Sequence, residues 1–538
     1  NTLQSMKKLL FVAAIAFLVA CSNSSDEFRK IKPDVLRDKI AGGWAGKMIG
    51  VTYGAPTEFR AQGKIYGDSI KWKPGDIRGS LWQDDIYVQL TFLMSMDKYG
   101  IDAPAKKYQE MFAKAGYPLW HANMQARKNW YDSIFAPLSG MPEYNIHADD
   151  IDFQIEADYI GFMAPGMPNT ALDIADRVGR IMNYGDGVYG GVFVAALYAE
   201  AFFETDIPLI VEKALQSLPG ESDYARTIRD VITLHNEYPD DWQEAWQELE
   251  EKWGDVDICG AGSTFNIDAK LNGAYIVMGL LYGNGDPAKT LEISTRCGQD
   301  SDCNPSNAMA VLGVIKGFGG LPVNMQEGVK AVGDSIFINT TYSFNSAVST
   351  TYKYALELIK KEGGEVSNNR ILVKNQVPAA PILEIAFPNV VFDRKVSVFD
   401  DGGWKFKGSW KPREVTRNEV TTKQAMFSGE PGDEAEITFT GTGIAITGNW
   451  FKDGGKADVY VDGNLHRSID TYYFFAIQQH TETIWHIMNI QPGQHTVKLV
   501  VRGEKRPESE GTSVAITGAT IFRTEPKQNE SHKFSFEI

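Results

Sequence analysis

Residues 40–59 read IAGGWAGKMIGVTYGAPTEF, with Gly42, Gly46, Gly50 and Gly54 at every fourth position. Residues four apart lie above one another on a helix, so the spacing predicts a helix with one stripe free of side chains. Glycine inside a helix costs about 1 kcal/mol relative to alanine. Four at one spacing therefore imply a second backbone packed closely against the stripe. Ala55-Pro56-Thr57-Glu58 then leaves the helix and aims Glu58 at a site. A helical domain built on close backbone contact follows from this stretch.

Working outward, apolar residues recur at three and four spacing over 91–99, 108–115, 171–182, 192–203, 207–218 and 275–281. That is the helical period. Gly and Pro punctuate the joints, as at Pro165-Gly166 and Gly283-Asn284-Gly285. The pattern stops near Glu362-Gly363-Gly364, and Pro378-Ala379-Ala380-Pro381 reads as a linker. Beyond it EAEITFTGTGIAITG, KADVYVDG, HTVKLVVRG and SVAITGATIF alternate apolar and polar residues and end in glycine turns. That alternation predicts a β-sandwich.

Two further segments carry chemistry. In LWQDDIYVQLTF, residues 81–92, Asp84 and Asp85 open a helical run. One acid there serves the positive helix end. Two adjacent acids repel and invite a cation. In RCGQDSDCNPSNAMAVLGVIKGFGG, residues 296–320, Asp300 and Asp302 sit in a loop before Pro305, which suits the first turn of a helix. An extended loop would point both carboxylates the same way. Asp-x-Asp-x-Asn mimics the start of an EF-hand, but Pro305 and Val311 replace its glycine and glutamate. The residues 145–166, NIHADDIDFQIEADYIGFMAPG, hold Asp149, Asp150, Asp152, Glu156 and Asp158. A charge run of this kind reads as a solvated face, with Glu156 and Asp158 as candidate acid or base.

Taken together, the glycine-rich helix ending in Gly-x-Pro-x-Glu, the Asp-Asp pair and the late Asp-x-Asp motif resemble the ADP-ribosylglycohydrolase family. The resemblance covers residues 39–320 and implies an all-α domain whose site collects distant loops. It implies one or two magnesium or manganese ions, with calcium as a further possibility, held by Asp84, Asp85, Asp300 and Asp302. Gln83 and Cys303 stand where the family has metal-binding threonines, and Glu58 matches a family glutamate near the substrate. With Glu156 and Asp158 of the acidic run, Glu58 and Asp300 make up the candidate catalytic set. Ile86 replaces another threonine, and the Arg and His expected in the middle region are missing from GFMAPG and MNYGDGVYGG. Those losses count against a diphosphate-bearing substrate. The sandwich phrases resemble carbohydrate-binding modules of jelly-roll type.

The chain has 538 residues, 43% hydrophobic and 23% charged, with a net charge of −16. That length predicts more than one domain. With no Lys/Arg block, nucleic acid is excluded as a partner. Lys7 and Lys8 precede a 12-residue apolar run, residues 9–20, too short to span a bilayer and ending in Leu18-Val19-Ala20-Cys21. The pattern reads as a signal peptide with a lipobox, Cys21 carrying the lipid. The membrane is then met only through that anchor. The expected location is extracytoplasmic, as an outer-membrane lipoprotein on the periplasmic or cell-surface face. Of the other cysteines, Cys259, Cys297 and Cys303, an odd set cannot pair fully. A Cys297–Cys303 disulfide across their short loop is one option in an oxidising compartment, and free buried thiols are the favoured reading.

The expected organisation is a signal peptide over 1–21, a tether over 22–32, the α-helical catalytic domain over 33–365, a linker over 366–395, the β-sandwich over 396–525 and a tail over 526–538. The expected activity is metal-dependent hydrolysis of a glycosidic bond in a glycan, a furanoside among the options the resemblance implies. Two alternatives stand beside it: an ADP-ribosyl or nucleoside-type glycohydrolase, and a glycan-binding surface lipoprotein with a weakened metal site. The four retained aspartates argue against the last.

Overall fold

The structure, a computed structural model, describes residues 27–254, 258–417, 420–475 and 481–525. Residues 1–26, with the expected signal segment, Cys21 and the first part of the tether, lie outside the described residues, as does the tail from 526. Six helices build the site: α1 (Pro33–Gly54), α2 (Asp84–Tyr99), α3 (His121–Tyr131), α4 (Asp152–Glu156), α5 (Asp158–Met163) and α6 (Cys303–Lys316). Pro33 starts α1 at its first position, where a missing N–H is no loss.

The glycine stripe of α1 lies against α6 and the loop before it. A Cβ on Gly42 would lie 2.0 Å from the carbonyl O of Gly313, and one on Gly46 2.4 Å from that of Met309. On Gly50 it would lie 2.3 Å from Pro305 O, and on Gly54 1.9 Å from Ser301 O. Each step of four along α1 matches a step of four backwards along the partner, so the two run antiparallel in turn-for-turn register. No side chain fits between them, which answers the cost of the four glycines. Trp44, Met48 and Ile49 on other faces of α1 are fully buried, so it is the central helix of the domain.

Strand β1 (Phe28–Ile31) pairs antiparallel with β3 (Ile371–Lys374), and β2 (Glu365–Val366) pairs with the other edge of β3. Part of the expected tether and part of the expected linker thus close one sheet, burying Ile31, Ile371 and Val373. The rest of the linker is docked too. The Gln376 side chain accepts from Asn169 N (2.9 Å), Tyr189 donates to Ile382 O (2.9 Å), and Arg180 pairs with Glu384 (3.0 Å).

The C-terminal strands are β4 (Val390–Ser397), β5 (Trp404–Lys407), β6 (Lys411–Arg417), β7 (Val420–Ser428), β8 (Glu434–Gly441), β9 (Gly443–Asn449), β10 (Lys456–Val461), β11 (Asn464–Asp470), β12 (Thr481–Ile487), β13 (Gly493–Val501) and β14 (Val514–Thr524). One sheet runs β11-β10-β13-β8-β5; the other runs β12-β9-β14-β7-β6, with β4 also paired to β14. Alternation does the work expected of it. Ala435, Ile437 and Phe439 of β8 point inward, as do Val497, Leu499 and Val501 of β13. Ile444, Ile446, Ile516 and Ile521 of the other sheet are likewise buried, as in a sandwich. The sandwich rests on the helical domain through Arg467 donating to Glu143 O (2.8 Å) and through Tyr131 against Phe474 (5.2 Å between rings). No described helix is long and apolar enough to cross a membrane.

Candidate active site

The end of the glycine stripe delivers the chemistry. After Gly54 a single tight turn, Ala55–Thr57, leads to Glu58. The hydroxyls of Thr57 and Ser301 lie 2.8 Å apart, Phe59 N donates to Gln299 O (3.0 Å), and Gln299 N donates to Ala61 O (2.8 Å). The two loops are therefore stitched together. The 297–302 loop is a turn, with left-handed Gly298 (φ 88°) and Gln299 (φ 51°), where an extended segment was one sequence reading. A Cβ on Gly298 would lie 2.4 Å from Ala61 O, so the close approach requires glycine. The carboxylates converge all the same: Glu58, Asp300 and Asp302 offer oxygens within 4.8 Å of one another.

These acids floor a cavity of about 560 Å³. Asp84, Gln83 and Cys303 join them, and Asp152 faces the cavity from α4. The wall is aromatic: Phe59, Trp82, Tyr87, Tyr117 and Trp120. Trp82 and Trp120 are 54% and 39% exposed, so their rings form a rim open to solvent. Among the described residues lining the cavity none is Lys or Arg.

Beneath the floor lies Lys47, fully buried on α1. Its ammonium sits 3.1 Å from Asp85 and 3.1 Å from Asp158, and donates to Ile155 O (2.9 Å). Burial opposes its charge, but Asp158 and Asp85 outweigh burial and raise its pKa. Cys303 donates its thiol to Asp85 Oδ2 (3.2 Å). Burial, then the nearby aspartates, push that thiol well above its usual range. Asp85, Asp302 and Cys303 also present ligand atoms within 4.8 Å of one another, a second group that could hold a metal.

The cavity acids are crowded. Burial, then Asp85, raises Asp84 to about 7. Burial raises Asp300 to about 8, with Glu58 and Asp85 adding to it. Glu58 keeps a solvent-facing edge, yet the enclosure of its carboxylate and the charges of Asp302, Asp84 and Asp85 raise it to about 9. Asp302 rises for the same reasons, burial first and Asp300 next. Asp300 Oδ1 is buried with no hydrogen-bond partner. A buried carboxylate oxygen without a donor, among like charges, is unfavourable alone and fits a divalent cation. The donors are hard oxygens, which suit magnesium or manganese.

Several expectations change. The acidic run is not a solvated face: Asp150, Asp152, Glu156 and Asp158 are buried, because α4 and α5 pass through the core. Asp158 does not line the cavity. Lys47, Gln89 (3.1 Å), Tyr198 (2.5 Å) and Asn307 (3.1 Å) saturate its oxygens, an arrangement that positions Lys47. Glu156 also lies outside the lining. Asn123 donates to its Oε1 (2.5 Å), its Oε2 has no partner, and burial raises its pKa well above normal. Asp85 is beneath the floor and engaged by Lys47 and Cys303. Cys259, Cys297 and Cys303 are free thiols.

Sequence reasoning passed over Lys47, Asp152 and the aromatic wall. Lys47 had a signal: it is the lone charge between Lys39 and Glu58, in the glycine-rich part of the helix. Asp152 accepts from Ala122 N (3.3 Å) and Asn123 N (2.9 Å) at the start of α3, and burial raises it to about 7. That partnership spans 30 residues and has no local sequence mark.

Comparison with known proteins agrees with this anatomy. A family model described as ADP-ribosylglycohydrolase matches residues 32–347. A solved ADP-ribosylglycohydrolase-related protein is similar at 14% identity and a TM-score of 0.44, over 60% of this chain and 99% of that one. A carbohydrate-binding module in complex with calcium and xylotriose is similar at 14% identity and a TM-score of 0.17, over 24% of this chain and 99% of that one. Two proteins of Flavonifractor plautii match short stretches. One, an A type blood α-D-galactosamine galactosaminidase, is 33% identical over 18% of this chain and 8% of its own length. The other, an A type blood N-acetyl-α-D-galactosamine deacetylase, is 31% identical over 20% of this chain and 13% of its own length. The chain thus spans only a small part of either curated relative. With the family match covering residues 32–347 of 538, the chain belongs to the ADP-ribosylglycohydrolase family.

Proposed function

We propose that this protein is an exported, divalent-metal-dependent glycosidic-bond hydrolase that acts on a neutral glycan. One observation carries the reading: the cavity joins a carboxylate floor to an aromatic wall, and no described lining residue is Lys or Arg. A diphosphate would meet acids there, whereas a sugar ring finds flat apolar faces and oxygen ligands. The two Flavonifractor plautii relatives, named for work on an amino sugar, support a glycan substrate. The lipobox pattern at residues 18–21 supports export and a lipid anchor at Cys21.

Glu58, Asp300 and Asp302, with Asp84 alongside, would hold a magnesium or manganese ion. Bound there, such an ion supplies charge stabilisation at sugar hydroxyls and acidifies water. Lys47 pairs with both Asp85 and Asp158 beneath the floor, and Asp85 with Asp302 and Cys303 offers a second group for the further ion the family pattern implies. Asp152 faces the cavity outside that set. Its affinity for a proton near neutrality suits a general base that takes the proton of an attacking water at a carboxylate oxygen. Trp82, Trp120, Tyr87 and Tyr117 hold the ring and keep bulk water from its buried face.

A second reading, hydrolysis of an ADP-ribosyl or nucleoside bond, is favoured by family membership itself. The test is a panel of plant and host glycans beside ADP-ribosyl-arginine and ADP-ribosyl-serine peptides, with magnesium, manganese or EDTA. Sugar release that EDTA and Asp300→Ala abolish is the expected result. Release of ADP-ribose would replace the first reading with the second. Glycan binding without turnover of either class would sink both in favour of a binding lipoprotein.

A further inference from the structure

A second donor cluster lies beside the carboxylate floor and differs from it in chemistry. His121, His147, Asp150 and Cys259 each present a ligand atom, all within 4.8 Å of one another. His147 Nδ1 is 2.8 Å from Asp150 Oδ2, Cys259 Sγ is 3.3 Å from the same oxygen, and His121 Nδ1 is 3.7 Å from it. A tetrahedral zinc with bonds of about 2.0–2.3 Å sets its ligand atoms about 3.3–3.6 Å apart. The three contacts to Asp150 Oδ2, from 2.8 to 3.7 Å, bracket that figure. Two imidazoles, one thiol and one carboxylate are borderline-soft donors, unlike the all-oxygen floor.

From these observations we infer a transition-metal site, with zinc as the natural ion, held by His121, His147, Asp150 and Cys259. The four ligands come from three separate segments, which a metal would cross-link. The segment carrying His147 and Asp150 is already joined to the chain that follows Cys259: Ile151 N donates to Ile267 O (3.0 Å) and Ala269 N to Asp149 O (3.0 Å). His121 adopts a left-handed backbone, φ 43°, a conformation that persists in a non-glycine residue where the surroundings demand it. Its ring stacks on Phe265, 5.6 Å between centroids, and His121 also lines the cavity. The site would thus fix the wall of the active-site cavity through His121, Ile151 and Ile267. It does not depend on which sugar the floor accepts.

The test uses the full chain stripped of metal with a chelator and titrated with Co²⁺, which reports tetrahedral geometry and thiolate ligation by absorption. The expected result is one equivalent giving visible tetrahedral bands and a sulfur-to-cobalt charge-transfer band, displaced by Zn²⁺ in excess Mg²⁺. Cys259→Ser should remove the charge-transfer band, while Asp300→Asn and Cys303→Ser retain it. His147→Gln should weaken Zn²⁺ by at least roughly tenfold while leaving the sulfur band at saturating Co²⁺. A chain that gives no charge-transfer band overturns the inference. So does a band that survives Cys259→Ser, or one that Cys303→Ser removes. Thermal melts of both Cys259→Ser and His147→Gln check that lost binding is not lost folding.

Discussion

Two buried aspartates, one in each domain, show what a carboxylate does when it is built in and when it is kept available. In the sandwich, Asp433 accepts from Ser409 N (2.7 Å) and from the Ser428 hydroxyl (2.6 Å), tying β7 to the turn before β6. In the helical domain, Asp300 is as deeply buried, yet its Oδ1 meets no donor and its neighbours are acids. The first is a satisfied joint. The second is an unfavourable arrangement held in place by surrounding structure, as expected of a site that receives a ligand. Lysines divide the same way. Lys47 is sealed between two aspartates, while Lys407 faces Glu434 in the open at 3.4 Å.

The comparison is most exposed to a matched pair of substitutions. Asp300→Asn should lower sugar release by about a thousandfold or more, since a metal centre supplies several kcal/mol of charge stabilisation. Asp433→Asn should leave turnover intact and cost about 1–3 kcal/mol in denaturant melts. Equal activity losses in both would end the distinction. The lysines give the next test. Lys47→Met leaves two buried charges uncompensated and should cost roughly 3–5 kcal/mol, against no more than about 1 kcal/mol for Lys407→Met. A comparable loss at both would show that burial of Lys47 is not what matters.

Acidity sharpens the contrast further. Unfolded aspartates titrate near about 4, whereas Asp84 and Asp300 titrate at about 7 and about 8 in the fold. The folded chain therefore holds protons that the unfolded chain releases. Without metal, stability should be fullest below about pH 4 and fall as pH rises towards about 8. Magnesium displaces those protons and should flatten the slope. Urea midpoints against pH, in EDTA and in magnesium, measure this, and identical slopes would argue against a cation at the floor. The smallest effect belongs to the rim. Trp120→Ala should raise KM roughly two- to tenfold with kcat little changed. A fall in kcat with KM unmoved would take Trp120 out of substrate binding.

Much of this was legible in the residues. The glycine stripe announced a backbone neighbour, and strand alternation marked the sandwich. Glu58, Asp84, Asp300 and Asp302 were marked as one site by the resemblance of their motifs to the ADP-ribosylglycohydrolase family. What stayed hidden arises between elements. The acids of α4 and α5 look exposed in a linear reading, since only their packing shows that both short helices run through the core. Asp158 looks catalytic until Lys47, Gln89, Tyr198 and Asn307 are seen to surround it, and those partners are scattered from residue 47 to residue 307.

The contact between α1 and α6 has a mechanical consequence. Two helices touching through bare backbone have no side-chain layer to repack, so they cannot slide or tilt by small amounts. The pair behaves as a single girder, with Glu58 fixed at one end of one beam and Asp302 at the matching end of the other. The exposed rings of Trp82 and Trp120 lie off that pair, at the cavity rim. A lineage can reshape that rim for a new substrate without disturbing the spacing of the carboxylates below it.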